Sequence, residues 1–400
     1  MDHGAARDGH AERALNRTIV LLALVAFTST STMRVADPML PELARAYSTS
    51  LGEAARVVSW YAVVYGLMQL FMGTVGDRFG KLRVVALSAC AASLGSLACA
   101  LAGSLDQLVL ARLFTAAAAA GIIPSGLAWI GDRVPFERRQ ITLARMATGT
   151  TLGLCGGQLL GGILVDTVGW RWAFALLAAG FCGGGLLVLR GALRQPPDTP
   201  RHGTGLIAPL RAVFATPWAR RVYLLSCIEA AAVFAVLALL PTILYQSLGL
   251  SLAAAGSAVA AFGFGALLFT LVARRLIPAL GEIGLTYGGA ALFVVLLLPQ
   301  MVLGSGWLVA ALCLGAGFGW YMLHSTLQAH VSQVAPAARG TAMSMFAAVV
   351  FFGQAVGVAL GAWVVGEFGP RVLVPGCALI FGVTGLVLGR DLRRRARGVT

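Results

Sequence analysis

Residues 73–83 read GTVGDRFGKLR, a polar, glycine-punctuated stretch set between apolar runs at 54–76 and 82–103. Gly76 and Gly80 permit a tight reversal, and Asp77 can face a helix N-terminus or a neighbouring arginine. Each flanking run is long enough to cross a bilayer core of ~30 Å, which takes about 20 residues as a helix. The same alternation of apolar run and short polar turn continues outward in both directions. Twelve spans are expected, at 18–44, 54–76, 82–103, 105–131, 140–167, 170–190, 220–246, 253–274, 283–303, 306–331, 339–366 and 371–390. Of the 400 residues 58% are hydrophobic and 12% charged, a composition foreign to soluble domains. Lipid offers no partner for a backbone N–H or C=O, so the fold class is all-α integral membrane. The 50 glycines fit close packing between such helices.

The net charge of +14 invites a nucleic-acid partner, but its distribution argues for a lipid bilayer instead. With a cytoplasmic N-terminus, 24 of the 30 basic residues fall at inner ends or inner loops, and the outer ends keep Arg45, Arg56, Arg171 and Arg371. This positive-inside asymmetry places both termini in the cytoplasm, as an even span count requires. The polar start and long, charge-interrupted first run read as a retained span and not a cleaved signal. The seven cysteines stand singly in apolar segments without CxxC spacing, so neither disulfides, metal nor other cofactor is indicated.

Between Arg190 and Arg220 hydropathy collapses into RGALRQPPDTPRHGTGLIAPLRAVFATPWAR. The expected organisation is a tail at 1–17, a six-helix bundle at 18–190, a linker at 191–219, a second bundle at 220–390 and a tail at 391–400. Leu206, Leu210, Val213 and Phe214 fall at helical spacing, which predicts a short surface helix in the linker. Shifted by 200 positions, 139–171 aligns with 339–371, with identities that include Gly153/Gly353, Gly157/Gly357 and Gly161/Gly361. Leu40 and Pro41 fall on Leu240 and Pro241 under the same shift. Two parallel repeats with a site between them form an alternating-access architecture.

GTVGDRFGKLR, after the second of twelve spans, resembles the signature loop of the major facilitator superfamily. The resemblance implies two pseudo-symmetric six-helix bundles and a gate role for Gly73, Asp77, Arg78, Gly80 and Lys81. The second half keeps only ARRLIPALG, at 273–281, without the aspartate. In the fourth span, LVLARLFTAAAAAG carries Arg112 where the family has an arginine motif. Span five holds Gly149, Gly153, Gly157 and Gly161 at i, i+4 spacing, and GLCGGQLLGG is similar to the motif of the twelve-span drug:proton antiporters, with Gln158 in place of the usual proline. Gly353, Gly357 and Gly361 repeat this packing face in the second half.

Charges inside a membrane are costly and point to function. FTSTSTMRVADPMLPELA puts Thr30, Arg34 and Asp37 on one stripe of span one. Counted by helical rise, Asp37 and Arg112 lie at equal depth and are expected to pair, the alternative being that Asp37 neutralises Arg34 within its own helix. Glu229 of span seven and His324 of span ten also match in depth. Spans one, four, seven and ten line the cavity in the resembled family, which makes all five groups candidates for proton coupling. Tyr61, Tyr65 and Gln69 on span two, Gln158 on span five, and Tyr321 and Gln328 on span ten are candidate cavity residues.

The function expected is proton-coupled efflux of small amphipathic molecules or drugs by a monomeric inner-membrane antiporter. One proton entering down ~100 mV and about one pH unit supplies roughly 3.7 kcal/mol, enough for a gradient on the order of 500-fold. The alternative is a symporter or uniporter for sugars or organic acids. No convergence of nucleophile, base or metal ligands suggests an enzyme.

Overall fold

A computed structural model describes residues 2–193, 211–301, 305–335 and 338–397, and among these all regular structure is helical. The first bundle contains α1 (Asp2–Arg34), α2 (Leu40–Ala46), α3 (Leu51–Ala54), α4 (Arg56–Phe79), α5 (Lys81–Leu101), α6 (Leu105–Ala119), α7 (Ile122–Arg133), α8 (Phe136–Thr167) and α9 (Trp170–Leu193). The second contains α10 (Pro217–Leu248), α11 (Leu252–Leu297), α12 (Gly306–Val334), α13 (Arg339–Phe368) and α14 (Pro370–Ala396). The first helix starts at Asp2, ahead of the span expected from 18, because the polar tail is rich in alanine and arginine, both good helix formers. The linker residues Leu206 and Leu210, where a surface helix was expected, lie outside the described residues. Val213 is buried, and the Phe214 ring sits 5.3 Å from Tyr223.

Span one is broken where ADPMLP lies. Pro38 disfavours helical geometry at Asp37 and lacks an N–H, so α1 gives way to a 3₁₀ turn at Asp37–Met39 before α2 resumes. The break puts Arg34 and Asp37 next to each other in the middle of the bundle.

Among the described residues, eleven segments are long and apolar enough to cross a membrane, and one of them, Leu252–Gln300, has 49 residues. At 1.5 Å per residue it would measure about 74 Å, more than twice a bilayer core. It contains the expected spans eight and nine, joined by a reversal at Gly281, whose φ of 63° and ψ of 175° suit glycine. Contacts to α12 establish the reversal. Past Gly281, Glu282 meets His330, Gly289 meets Met322, and Gln300 meets Cys313, which is antiparallel. Before it, Phe262 meets Gly317 and Phe269 meets Tyr321, which is parallel. Among the described residues the crossings therefore number twelve.

The repeat is visible in the packing. Gly153 lies against the Phe27 carbonyl and Gly353 against that of Cys227, while Gly157 meets Ser31 O and Gly357 meets Ala231 O. Each pair is its partner displaced by 200 positions. The halves meet through α8 on α11 and α4 on α13. There Gly256 abuts Gln158 O, Gly66 abuts Phe351, and Asp166 accepts from Ala253 N–H at 2.6 Å. These junctions lie toward the end of the bundle opposite the termini. Nearer the termini the halves part around a cavity that Thr150, Thr151, Leu267 and Thr270 line.

Candidate functional site

The central cavity has a volume of about 380 Å³ and is walled by both halves. Thr30, Arg34, Tyr65, Gln69 and Gln158 face it from the first bundle; Phe234, Phe262, Trp320, Tyr321, Phe351 and Gln354 face it from the second. Four expected cavity residues (Tyr65, Gln69, Gln158, Tyr321) therefore stand on the wall. Two do not: Tyr61 is buried behind Tyr65, their rings stacked at 5.9 Å, and Gln328 lies two turns of α12 beyond Tyr321.

At the closed end of this cavity lies a buried polar network. Arg34 Nη1 donates to Asp37 Oδ2 at 3.3 Å, and Arg34 Nη2 donates to Gln354 Oε1 of α13 at 3.2 Å. Gln158 of α8 donates through Nε2 to Asp37 Oδ2 at 2.8 Å and to the Leu237 carbonyl of α10 at 3.1 Å. The Arg34 guanidinium also lies 4.4 Å from the Phe234 ring centroid. Asp37 is 0% and Arg34 4% exposed, so the pair is desolvated and held by amides from both halves. Gln158, which stands at the antiporter motif's proline position, thus ties Asp37 directly to the opposite bundle, beside the bridge through Arg34 to Gln354.

The expected Asp37–Arg112 pair does not form, and Asp37 takes Arg34 instead. Arg112 donates to Thr32 O at 2.9 Å and Val57 O at 3.3 Å, and lies 3.8 Å over the Tyr61 ring. Equal depth did not bring the two side chains together, because α6 turns Arg112 toward the carbonyls of spans one and two.

A second buried cluster occupies the other half. Glu229, 0% exposed, accepts from Trp320 Nε1, and His324 Nδ1 lies 3.3 Å from its other oxygen. Glu229 and His324 meet, as their depths suggested. Trp320 was not singled out from the sequence, although it falls four residues before His324 on the same face of α12.

In the loop after span two, Gly80 adopts φ 87°, a left-handed value that favours glycine, and its N–H bonds Gly76 O at 3.1 Å. Asp77 pairs with Lys81 at 3.4 Å rather than with an arginine, and Lys81 also binds Asp132 of α7. Arg78 sits 5.5 Å from the Phe79 ring, and an added Cβ at Gly73 would meet nothing within 4 Å. The i, i+4 glycines of span five pack on span one, with Gly149 on Ala23 O and Gly161 on Val35 O, while Gly361 lies against Leu239.

Comparison with known proteins agrees with this architecture. Residues 22–349 match the family model described as Major Facilitator Superfamily. An MFS-type transporter of Bacillus subtilis, YceJ, is 25% identical over 357 residues, covering 86% of this chain and 88% of its own length. Another from the same organism, YwfA, is 28% identical over 38% of this chain and 37% of its own length. MdtD of Salmonella typhi, named for multidrug resistance, is 30% identical over 36% of this chain and 30% of its own length. For the latter two, the chain spans about a third of the relative. Among solved structures, a bacterial homolog to the human lysosomal transporter Spinster, inward-facing and unoccupied, superposes with a TM-score of 0.73 at 18% identity, covering 94% of each chain. A POT family transporter in complex with 5-aminolevulinic acid gives 0.74 at 14%, covering 93% of this chain and 95% of that one. Twelve crossings in two repeats, a cavity between them and a family match over most of its length make this chain a member of the major facilitator superfamily.

Proposed function

We propose that the chain is a proton-coupled secondary transporter of small amphipathic organic molecules, working by alternating access with Asp37 as its proton carrier. The observation that carries this reading is the Asp37–Arg34–Gln158–Gln354 network, which links a buried acid to both halves at the closed end of the cavity. Protonating Asp37 removes the charge that holds Arg34 and Gln158, and so weakens the closure itself. The arginine distribution supports cytoplasmic termini in the inner membrane, and a monomer is sufficient because the cavity is complete within one chain.

Export in exchange for protons is supported by GLCGGQLLGG and the partial likeness to MdtD. Cotransport is favoured by a separate observation, the guanidinium on the cavity wall. Everted membrane vesicles made acid inside, with acridine orange reporting the gradient, test both. A compound exchanged for protons dissipates the gradient when added outside, and a cotransported one does so when preloaded. Either response should vanish in Asp37→Asn. A response that persists in that variant refutes Asp37 as the carrier.

A further inference from the structure

Among the described residues that line the cavity, Arg34 is the one that carries a formal charge. Asp37 stands behind it and Glu229 behind Trp320, both fully enclosed. A molecule entering the cavity thus meets a guanidinium, three carboxamides and an aromatic wall, and no carboxylate. We propose that the substrate is a small organic anion with an apolar body, its acid group binding Arg34, and that Asp37 takes up a proton as the anion binds. The inference rests on Asp37 as the proton carrier.

The linkage follows from the geometry. Arg34 has five N–H donors in a planar fork, and its two hydrogen bonds go to Asp37 and Gln354. An anion at the wall competes with Asp37 for the same cation. Two ionised acids beside one guanidinium repel each other in a desolvated site, so the anion binds best when Asp37 is neutral. The proton comes from water reaching the cavity and goes to the Asp37 carboxyl, whose Oδ1 is enclosed without a hydrogen-bond partner. The other charge that acts on Asp37 is Arg112 of α6, which is held by backbone carbonyls and does not line the cavity, while the group facing Asp37 from α8 is the neutral Gln158. By reciprocity, a proton that favours the anion is favoured by it, and the two cross together. A cation would be repelled by Arg34 instead.

The experiment uses the purified full chain in weakly buffered detergent and two probes of one shape and opposite permanent charge, benzenesulfonate and benzyltrimethylammonium. Benzenesulfonate should bind the wild type with a rise in solution pH, and the ammonium should not bind. Asp37→Asn should bind benzenesulfonate about tenfold to a hundredfold more tightly, without a pH change. Arg34→Gln alone leaves Asp37 unpaired and endangers folding, so recognition is read in the Arg34→Gln, Asp37→Asn double variant, which strands no charge. It should lose the affinity gained by Asp37→Asn. Equal benzenesulfonate affinity in the single and double variants, absence of binding in Asp37→Asn, or ammonium binding with proton release each overturns the inference. A pH rise that persists in Asp37→Asn, with binding still lost in the double variant, leaves Arg34 recognition standing and removes Asp37 as carrier.

Discussion

Alternating access requires the contacts between the halves to break while those within each half persist, and two glycines separate the cases. An added Cβ at Gly256 of α11 would lie 2.6 Å from Gln158 O across the junction. At Gly149 of α8 it would lie 2.8 Å from Ala23 O, inside the first half. Both fall short of the 3.4 Å at which ordinary van der Waals contact begins, by roughly 0.8 and 0.6 Å. The obstruction is backbone in each case, so no side-chain rotation relieves it. Overpacking of this kind costs about 1–3 kcal/mol. In Gly149→Ala the cost is borne in every state and appears as lowered thermal stability. In Gly256→Ala it is borne only while the halves are closed at that end, so the ratio of open to closed should rise about 5- to 150-fold. Spin labels at the exposed Ser48 and Gln246, in a background without the seven native cysteines, report opening of this end as a longer distance population. Longer distances should grow in Gly256→Ala and stay unchanged in Gly149→Ala. Unchanged distances in both, or the same shift in both, would refute the assignment of the α8–α11 junction as a state-dependent contact.

Asp77→Asn removes one partner of Lys81 outside the cavity, so transport should fall severalfold while equilibrium substrate affinity changes by only a few fold; large loss of affinity with normal exchange would contradict a gate role. Arg112→Ala deletes the bonds to Thr32 O and Val57 O that join spans one, two and four, and should lower the unfolding temperature by an amount equivalent to about 2–4 kcal/mol. Proton-linked transport that is lost at unchanged stability would show instead that Arg112 takes part in coupling. Cysteines placed at His3 or His202 should resist impermeant thiol reagents in intact cells, and rapid labelling would overturn the cytoplasmic placement. Gly80→Ala must hold φ near 87° with a Cβ present and should destabilise the loop by about 1–2 kcal/mol, read as a lower unfolding temperature. An unchanged unfolding temperature would mean that the loop relaxes to another conformation.

The crossings and the two repeats were legible in the sequence because they depend on quantities that run along the chain. Apolar length decides what spans a bilayer, and GTVGDRFGKLR and GLCGGQLLGG carry the family resemblance in consecutive residues. Depth was legible as well, since helical rise is nearly constant, and it correctly grouped Glu229 with His324. What rise cannot give is the direction in which a side chain leaves its helix. Asp37 and Arg112 share a depth, but the break at Pro38 and the turn of α6 set their directions, and Asp37 closes on Arg34 while Arg112 closes on carbonyls. Gln158 and Gln354 reach the same network from spans five and eleven, far apart in the chain, and only the packing of glycine faces onto spans one and seven brings them there. The sequence determined the scaffold through local hydropathy and spacing; the tertiary structure decided the site, because which charges meet depends on the rotation and approach of helices that no linear pattern records.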